Sequence, residues 1–189
     1  ELFETLVNYI AKYLTNKSFK DPREIYESFF IPFCSSNGLL ASIYSAIDIA
    51  LWDITCKSSK KSLNDFLKLE NNNNFNFYFS GGSAAFNPNE ITDEIETVNK
   101  KIFKGYKMRI GKANWAYDLK RIGSARKKWD QFLMLDSIMG TIRPPLEAHE
   151  WSTKLSSLEE FNPLWLEEPL DPENIEGINK IKSFNFRIS

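Results

Sequence analysis

From residue 75 onward the chain repeats one unit four times: a short apolar run followed by an amphipathic stretch at helical period, about 30 residues in all. The apolar runs are Phe75 to Ser80, Tyr106 to Ile110, Phe132 to Leu135 and Leu164 to Leu166, and a fifth begins at Phe184. Between them, Ile91, Ile95, Val98 and Ile102 form a helical stripe that Gly105 is predicted to end. Further helices are predicted over 116–128, up to Leu158 after Pro144-Pro145, and over 173–183. Strict alternation of strand and helix implies a parallel sheet, because parallel neighbours need a crossover that a helix supplies. Periodicity alone does not separate a doubly wound sheet from a barrel. The polar residues favour the barrel, since three consecutive strands carry charged groups that could converge on one rim. A complete eight-unit barrel takes about 250 residues, so the expectation is about the first half of one, broken off inside its fifth strand.

Residues 1–70 lack this alternation and read as helical. Leu2, Leu6, Tyr9, Ile10 and Tyr13 make one stripe, and Asp21-Pro22 is an N-cap signal for a helix through about Phe30. Ile43, Ile47, Ala50, Leu51 and Ile54 line a face expected to be mostly buried, with Asp53 and Lys57 spaced for an ion pair. A short helix from Leu63 to Leu69 follows. Asn71 to Asn74 is a polar connector to the alternating region. The first residue is Glu1 rather than methionine, and no leader pattern follows it. Residues before it are expected to be missing.

Several function classes are disfavoured. The net charge is −1, with cations scattered among acids, so no clustered basic surface for nucleic acid is expected. No apolar run of about 18 residues suggests a membrane span. Cys34 and Cys56 have no metal-site spacing and read as buried free thiols of a reducing, cytoplasmic compartment. His149, the single histidine, lies in a polar helical stretch and is read as solvated, which leaves a serine or cysteine triad without a base.

The chemistry gathers at the strand ends. Lys107 and Arg109 are two apart on one strand and share a face, with roots about 7 Å apart. Two like charges at that distance repel by roughly 2 kcal/mol at an intermediate dielectric, predicting a Lys107 pKa lowered to roughly 9. Asp136 and Glu167 end the next two strands, at what should be the same rim. Oxygen ligands of this kind suit Mg²⁺ rather than zinc. Each acid taken alone is as well explained by a cap or a loop ion pair. Two acids opposite two cations point to a metal and an anionic ligand. Glu168 competes with Glu167, but neighbours on a strand face opposite ways, so only one should reach the centre.

These residues resemble the enolase superfamily, specifically its mandelate racemase/muconate lactonizing enzyme group. The likeness is carried by Ser45-Ala46-Ile47-Asp48-Ile49-Ala50-Leu51-Trp52-Asp53-Ile54 with Lys57, by Gly105-Tyr106-Lys107-Met108-Arg109-Ile110-Gly111, by Leu133-Met134-Leu135-Asp136, and by Trp165-Leu166-Glu167-Glu168-Pro169-Leu170. The ordered set is specific where any single motif is weak. The resemblance implies an α/β fold: the first half of a TIM-like (β/α)7β barrel over 75–189, preceded over 1–70 by the helical part of an α+β capping domain. It implies Mg²⁺ on Asp136 and Glu167, with Lys107 and Arg109 as catalytic and substrate-binding residues. The implied reaction removes a proton α to the carboxylate of a small acid, a sugar acid above all. The chain departs from the group in three places. Arg109 replaces a second lysine, Ile138 stands where many members have asparagine, and the third acidic ligand and the later histidine would lie beyond Ser189. An acid-sugar dehydratase, homo-oligomeric as a whole protein, is the expectation. The alternatives are a racemase, epimerase or cycloisomerase of the same superfamily, or a truncated chain that is non-catalytic as it stands.

Overall fold

The computed structural model describes residues 2–28, 38–70, 75–111, 114–137, 148–181 and 186–188. It divides into two compact units, Glu1–Asn73 and Asn74–Ser189.

The first unit holds helices α1 (Leu2–Leu14), α2 (Pro22–Ser28), α3 (Leu39–Ser59) and α4 (Leu63–Phe66). Asp21 caps α2, accepting the Arg23 amide at 2.9 Å and pairing with its guanidinium, which holds the Asp21 carboxyl down at about 2. Asp53 and Lys57 form the expected ion pair at 2.6 Å. The face of α3 is covered less widely than its composition predicts. Ile43 is buried and Ile47 and Leu51 are half-buried, but Ala50 and Ile54 are exposed. Helices α1, α2 and α4 each contact α3, and the apolar stripe is broader than the surface they cover. Cys56 is a free thiol but only half-buried rather than buried as expected, on a helix whose neighbouring Ile54 is exposed; Cys34 and the 71–74 connector lie outside the described residues. Among the described residues no helix is long and apolar enough to cross a membrane.

The second unit alternates as expected: β1 (Phe77–Gly81), α5 (Pro88–Thr97), β2 (Phe103–Arg109), α6 (Trp115–Lys128), β3 (Phe132–Asp136), α7 (Ala148–Leu158), β4 (Trp165–Glu167), α8 (Ile175–Ile181) and β5 (Arg187–Ile188). Helix starts have local causes. Asn87 and Glu90 make a reciprocal capping box around Pro88, and the Asn114 side chain accepts the Tyr117 amide at 2.9 Å. The strands form one parallel sheet in the order β1-β2-β3-β4-β5. A doubly wound sheet reverses direction at a switch point. Here the order is sequential and each crossover steps the same way, so with the usual right-handed connection successive helices land on one face, as in a barrel.

That face is the core. Tyr106, Met108, Leu133, Leu135 and Leu166 pack against Ile91 and Ile95 of α5, Ile122 and Ala125 of α6, Trp151, Leu155 and Leu158 of α7, and Ile181 of α8. Strand alternation turns the residues between them, Lys107, Met134, Asp136, Trp165 and Glu167, to the other face. Gly105 sits inside β2 rather than ending the preceding helix, which stops at Thr97. A Cβ there would come within 2.6 Å of the Met134 Cε and 2.9 Å of the Tyr78 Cβ, so this glycine serves close packing within the sheet.

Gly82, just past β1, is held at φ 54°, and a Cβ on it would overlap the Met108 side chain and stand 2.8 Å from its Cα. Gly82→Ala is therefore expected to destabilise the second unit by about 2–3 kcal/mol through combined backbone strain and overpacking. Urea unfolding measures this, and a change below about 0.5 kcal/mol would show that the loop relaxes freely.

Candidate functional site

At the carboxyl end of the sheet the register places Arg109 beside Asp136 and Asp136 beside Glu167. Parallel pairing without slippage is what brings these three positions level, and alternation points them to the face away from the helices. Lys107, one pleat below, reaches up to the acids. Its Nζ donates to Glu167 Oε1 at 3.0 Å and Oε2 at 2.9 Å, and lies 3.3 Å from Asp136 Oδ2. Both carboxylates therefore meet at one point. Lys107 and Asp136 are buried, with 9% and 7% of their surface exposed, whereas the Glu167 side chain is 30% exposed.

Aromatic groups frame this point. The Tyr78 ring centroid is 5.9 Å from Lys107 Nζ, and Trp165 stands edge-on to Tyr78 while its Nε1 donates to Glu167 Oε2 at 3.3 Å. Neither ring was legible as part of a site in the sequence, where both read as ordinary strand residues.

The expectation of a lowered Lys107 pKa is overturned. Burial does push it down, but the hydrogen bonds it donates to Glu167 and the charge of Asp136 outweigh burial and hold it above the ordinary lysine value. The sequence argument weighed only the cation two residues along the same strand, while the anions one and two strands away come closer. Arg109 is exposed, and among the described residues its guanidinium has no ion-pair partner.

Glu167, not Glu168, turns into the cluster. Glu168 is exposed at φ 50°, a left-handed turn that ends the strand, and its carbonyl accepts from Ser137 Oγ at 2.5 Å. His149 is exposed on α7, and Ile138 lies outside the described residues. The cluster offers two acidic groups: among the described residues no set of three or more histidine, cysteine or acidic side chains could hold a metal ion. What is present fits Mg²⁺ in kind. The donors are hard oxygens, and the convergence of both carboxylates on one ammonium shows that they can share a single positive centre.

A parallel sheet that winds one way with helices between its strands defines the class of fold: part of an α/β barrel, here with two carboxylates at its carboxyl rim. Residues 90–189 match the family model described as "Enolase C-terminal domain-like", and the chain belongs to that family, within the mandelate racemase/muconate lactonizing enzyme group of the enolase superfamily. Among curated proteins it is 28% identical to L-talarate/galactarate dehydratase of Salmonella typhimurium over 148 residues, covering 75% of this chain and 35% of that protein. It is 29% identical to D-gluconate/D-galactonate dehydratase of Picrophilus torridus over 175 residues, covering 87% and 43%. The fold superposes on L-talarate dehydratase from Polaromonas sp. JS666, complexed with Mg and L-glucarate, with a TM-score of 0.77 and 23% identity over 98% of this chain and 52% of that one. The chain thus spans about a third to a half of the relatives it matches.

Proposed function

We propose that the protein carrying this chain is a Mg²⁺-dependent sugar-acid dehydratase, with residues 75–189 forming the first half of its (β/α)7β barrel and 1–70 the helical part of a capping domain. The observation that supports it most is the meeting of Asp136, Glu167 and Lys107 at one point on the strand rim. The curated relatives, dehydratases of talarate, galactarate, gluconate and galactonate by name, support a sugar acid as the substrate class. Asp136 and Glu167 would hold the ion. When bound, Mg²⁺ supplies positive charge against the negative charge that develops on the substrate carboxylate.

The other roles belong to this chain's own side chains. Arg109, exposed at the rim, presents a planar fork matched to a carboxylate. Lys107, kept protonated by its acids, adds charge stabilisation at the same oxygens. Neither is suited to take the α-proton: guanidinium does not deprotonate, and Lys107 is held in its charged form. The base is then a residue elsewhere in the protein, a histidine by resemblance to the group. Loss of the α-hydrogen and of the β-hydroxyl as water leaves an enol, which becomes a 2-oxo-3-deoxy acid. Racemisation would need competent bases on both faces, and an arginine here counts against it.

The test is Mg²⁺-dependent turnover of a panel of sugar acids by the full-length protein and its Asp136→Asn and Glu167→Gln variants. Each variant is expected to weaken Mg²⁺ binding by about a hundredfold or more by calorimetry and to lose turnover in step. Unchanged turnover in both would refute the assignment. The 189-residue chain alone is proposed to be inactive; micromolar Mg²⁺ binding by it would contradict that.

A further inference from the structure

Asp118 and Arg121, one turn apart on α6, are entirely buried and paired at 2.7 Å. Each reaches beyond the pair. Arg121 donates from Nε to the Phe86 carbonyl at 2.7 Å, from Nη2 to the Ser83 carbonyl at 2.7 Å and from Nη1 to the Arg109 carbonyl at 3.1 Å. Asp118 Oδ2 accepts the Gly111 amide at 2.9 Å. Ser83 and Phe86 belong to the loop after β1, and Arg109 and Gly111 to the end of β2. From the helix side of the sheet, one ion pair therefore ties together the two loops that form this part of the rim. The Arg109 peptide is gripped from both sides, since its own amide donates to the Gly82 carbonyl at 2.9 Å. A buried ion pair is seldom the most stabilising way to fill such a space, but an arginine fork can hold three carbonyls in one fixed arrangement.

We propose that Arg121 is a positioning residue of the rim: it fixes the peptide from which Arg109 projects, at the strand end level with Asp136 in the sheet register. This deepens the proposed function and rests on the reading of Arg109 as the residue that grips the substrate carboxylate.

The test is Arg121→Lys in the full-length protein, which keeps a cation for Asp118 but loses the fork. Hydrogen exchange of the Arg109 and Gly111 amides is expected to accelerate by about tenfold or more, with Leu135 in β3 unchanged within about twofold. Uniform acceleration, or none, would overturn the proposal. Should that variant not fold, Asp118→Asn is read in the same way, with the same two outcomes. A double-mutant cycle supplies the functional arm. Arg121→Lys is expected to raise KM for the sugar acid about tenfold in the wild-type background and to have no effect in Arg109→Ala; additive effects would overturn it. Exchange needs no substrate, so an absence of turnover would sink the proposed reaction while the exchange result still decides the brace.

Discussion

Lys107→Met is expected to destabilise the second unit by about 3 kcal/mol in the absence of a divalent ion and to make its stability strongly Mg²⁺-dependent. Removing one partner of a buried ion pair costs about 3–5 kcal/mol. The partial exposure of the Glu167 side chain, 30%, places the effect at the lower end. Without the ammonium, Asp136 and Glu167 lose the cation that both of them contact. A divalent ion bound between them would replace it, and at a hundred times its dissociation constant would return about 2.7 kcal/mol. The thermal midpoint of the variant should therefore rise more with added Mg²⁺ than that of the wild type. Turnover in the full-length protein should fall by about 10²–10³-fold, the usual cost of losing one charge stabiliser. Equal Mg²⁺ responses in the two proteins would show that the ammonium and the metal do not share the carboxylates.

The pH dependence of that difference has a definite sign. Lys107 has a raised folded pKa, so its contribution is fully present at neutral pH, up to the unfolded value near 10.5. It is lost only as the pH rises further, through the folded value. Denaturant unfolding of wild type and Lys107→Met at neutral and at strongly alkaline pH should show the gap narrowing only in the alkaline range.

Arg121→Met is expected to have the largest effect on stability of any single substitution in the second unit. It leaves Asp118, with no exposed surface, as a buried carboxylate without a cation, at a cost of about 3–5 kcal/mol. It also strips a donor from the carbonyls of Ser83, Phe86 and Arg109, each costing about 1–3 kcal/mol where no other donor replaces it. Against a typical total stability of about 5–15 kcal/mol, this approaches loss of the folded unit. The thermal midpoint is expected to drop by roughly 15 °C or more. Adding Asp118→Leu should recover part of the loss, because no lone charge then remains buried, although the carbonyls stay without their donor. A change within the range of surface substitutions, about 0.5 kcal/mol, would mean that water enters and satisfies these groups.

These two residues mark the limits of reading along the chain. Lys107 was legible as a member of the rim cluster because a cation on a strand beside acid-tipped strands is unusual. Its protonation was not, because the sequence ranks charges by separation along the chain while Coulomb's law acts through space. Asp118 and Arg121 had no signal beyond an acid and a base three apart on a helix, which most often face water. Gly105 shows the same limit for the fold. Its residue type suggested a helix stop, whereas contact with Met134 and Tyr78 explains why it sits within β2.

What the sequence determined by itself was the alternation of strand and helix, the capping of α2 at Asp21, and the ordered motifs that place the chain in its family. All of these depend on residues near one another in the chain, where periodicity and local hydrogen bonding decide the outcome. Only the tertiary structure decided that the sheet winds one way, that Asp136 and Glu167 close on Lys107, and that Arg121 is buried beneath the rim. Those follow from strand register and helix packing, which join residues 12 to 60 positions apart, and no local pattern carries that information.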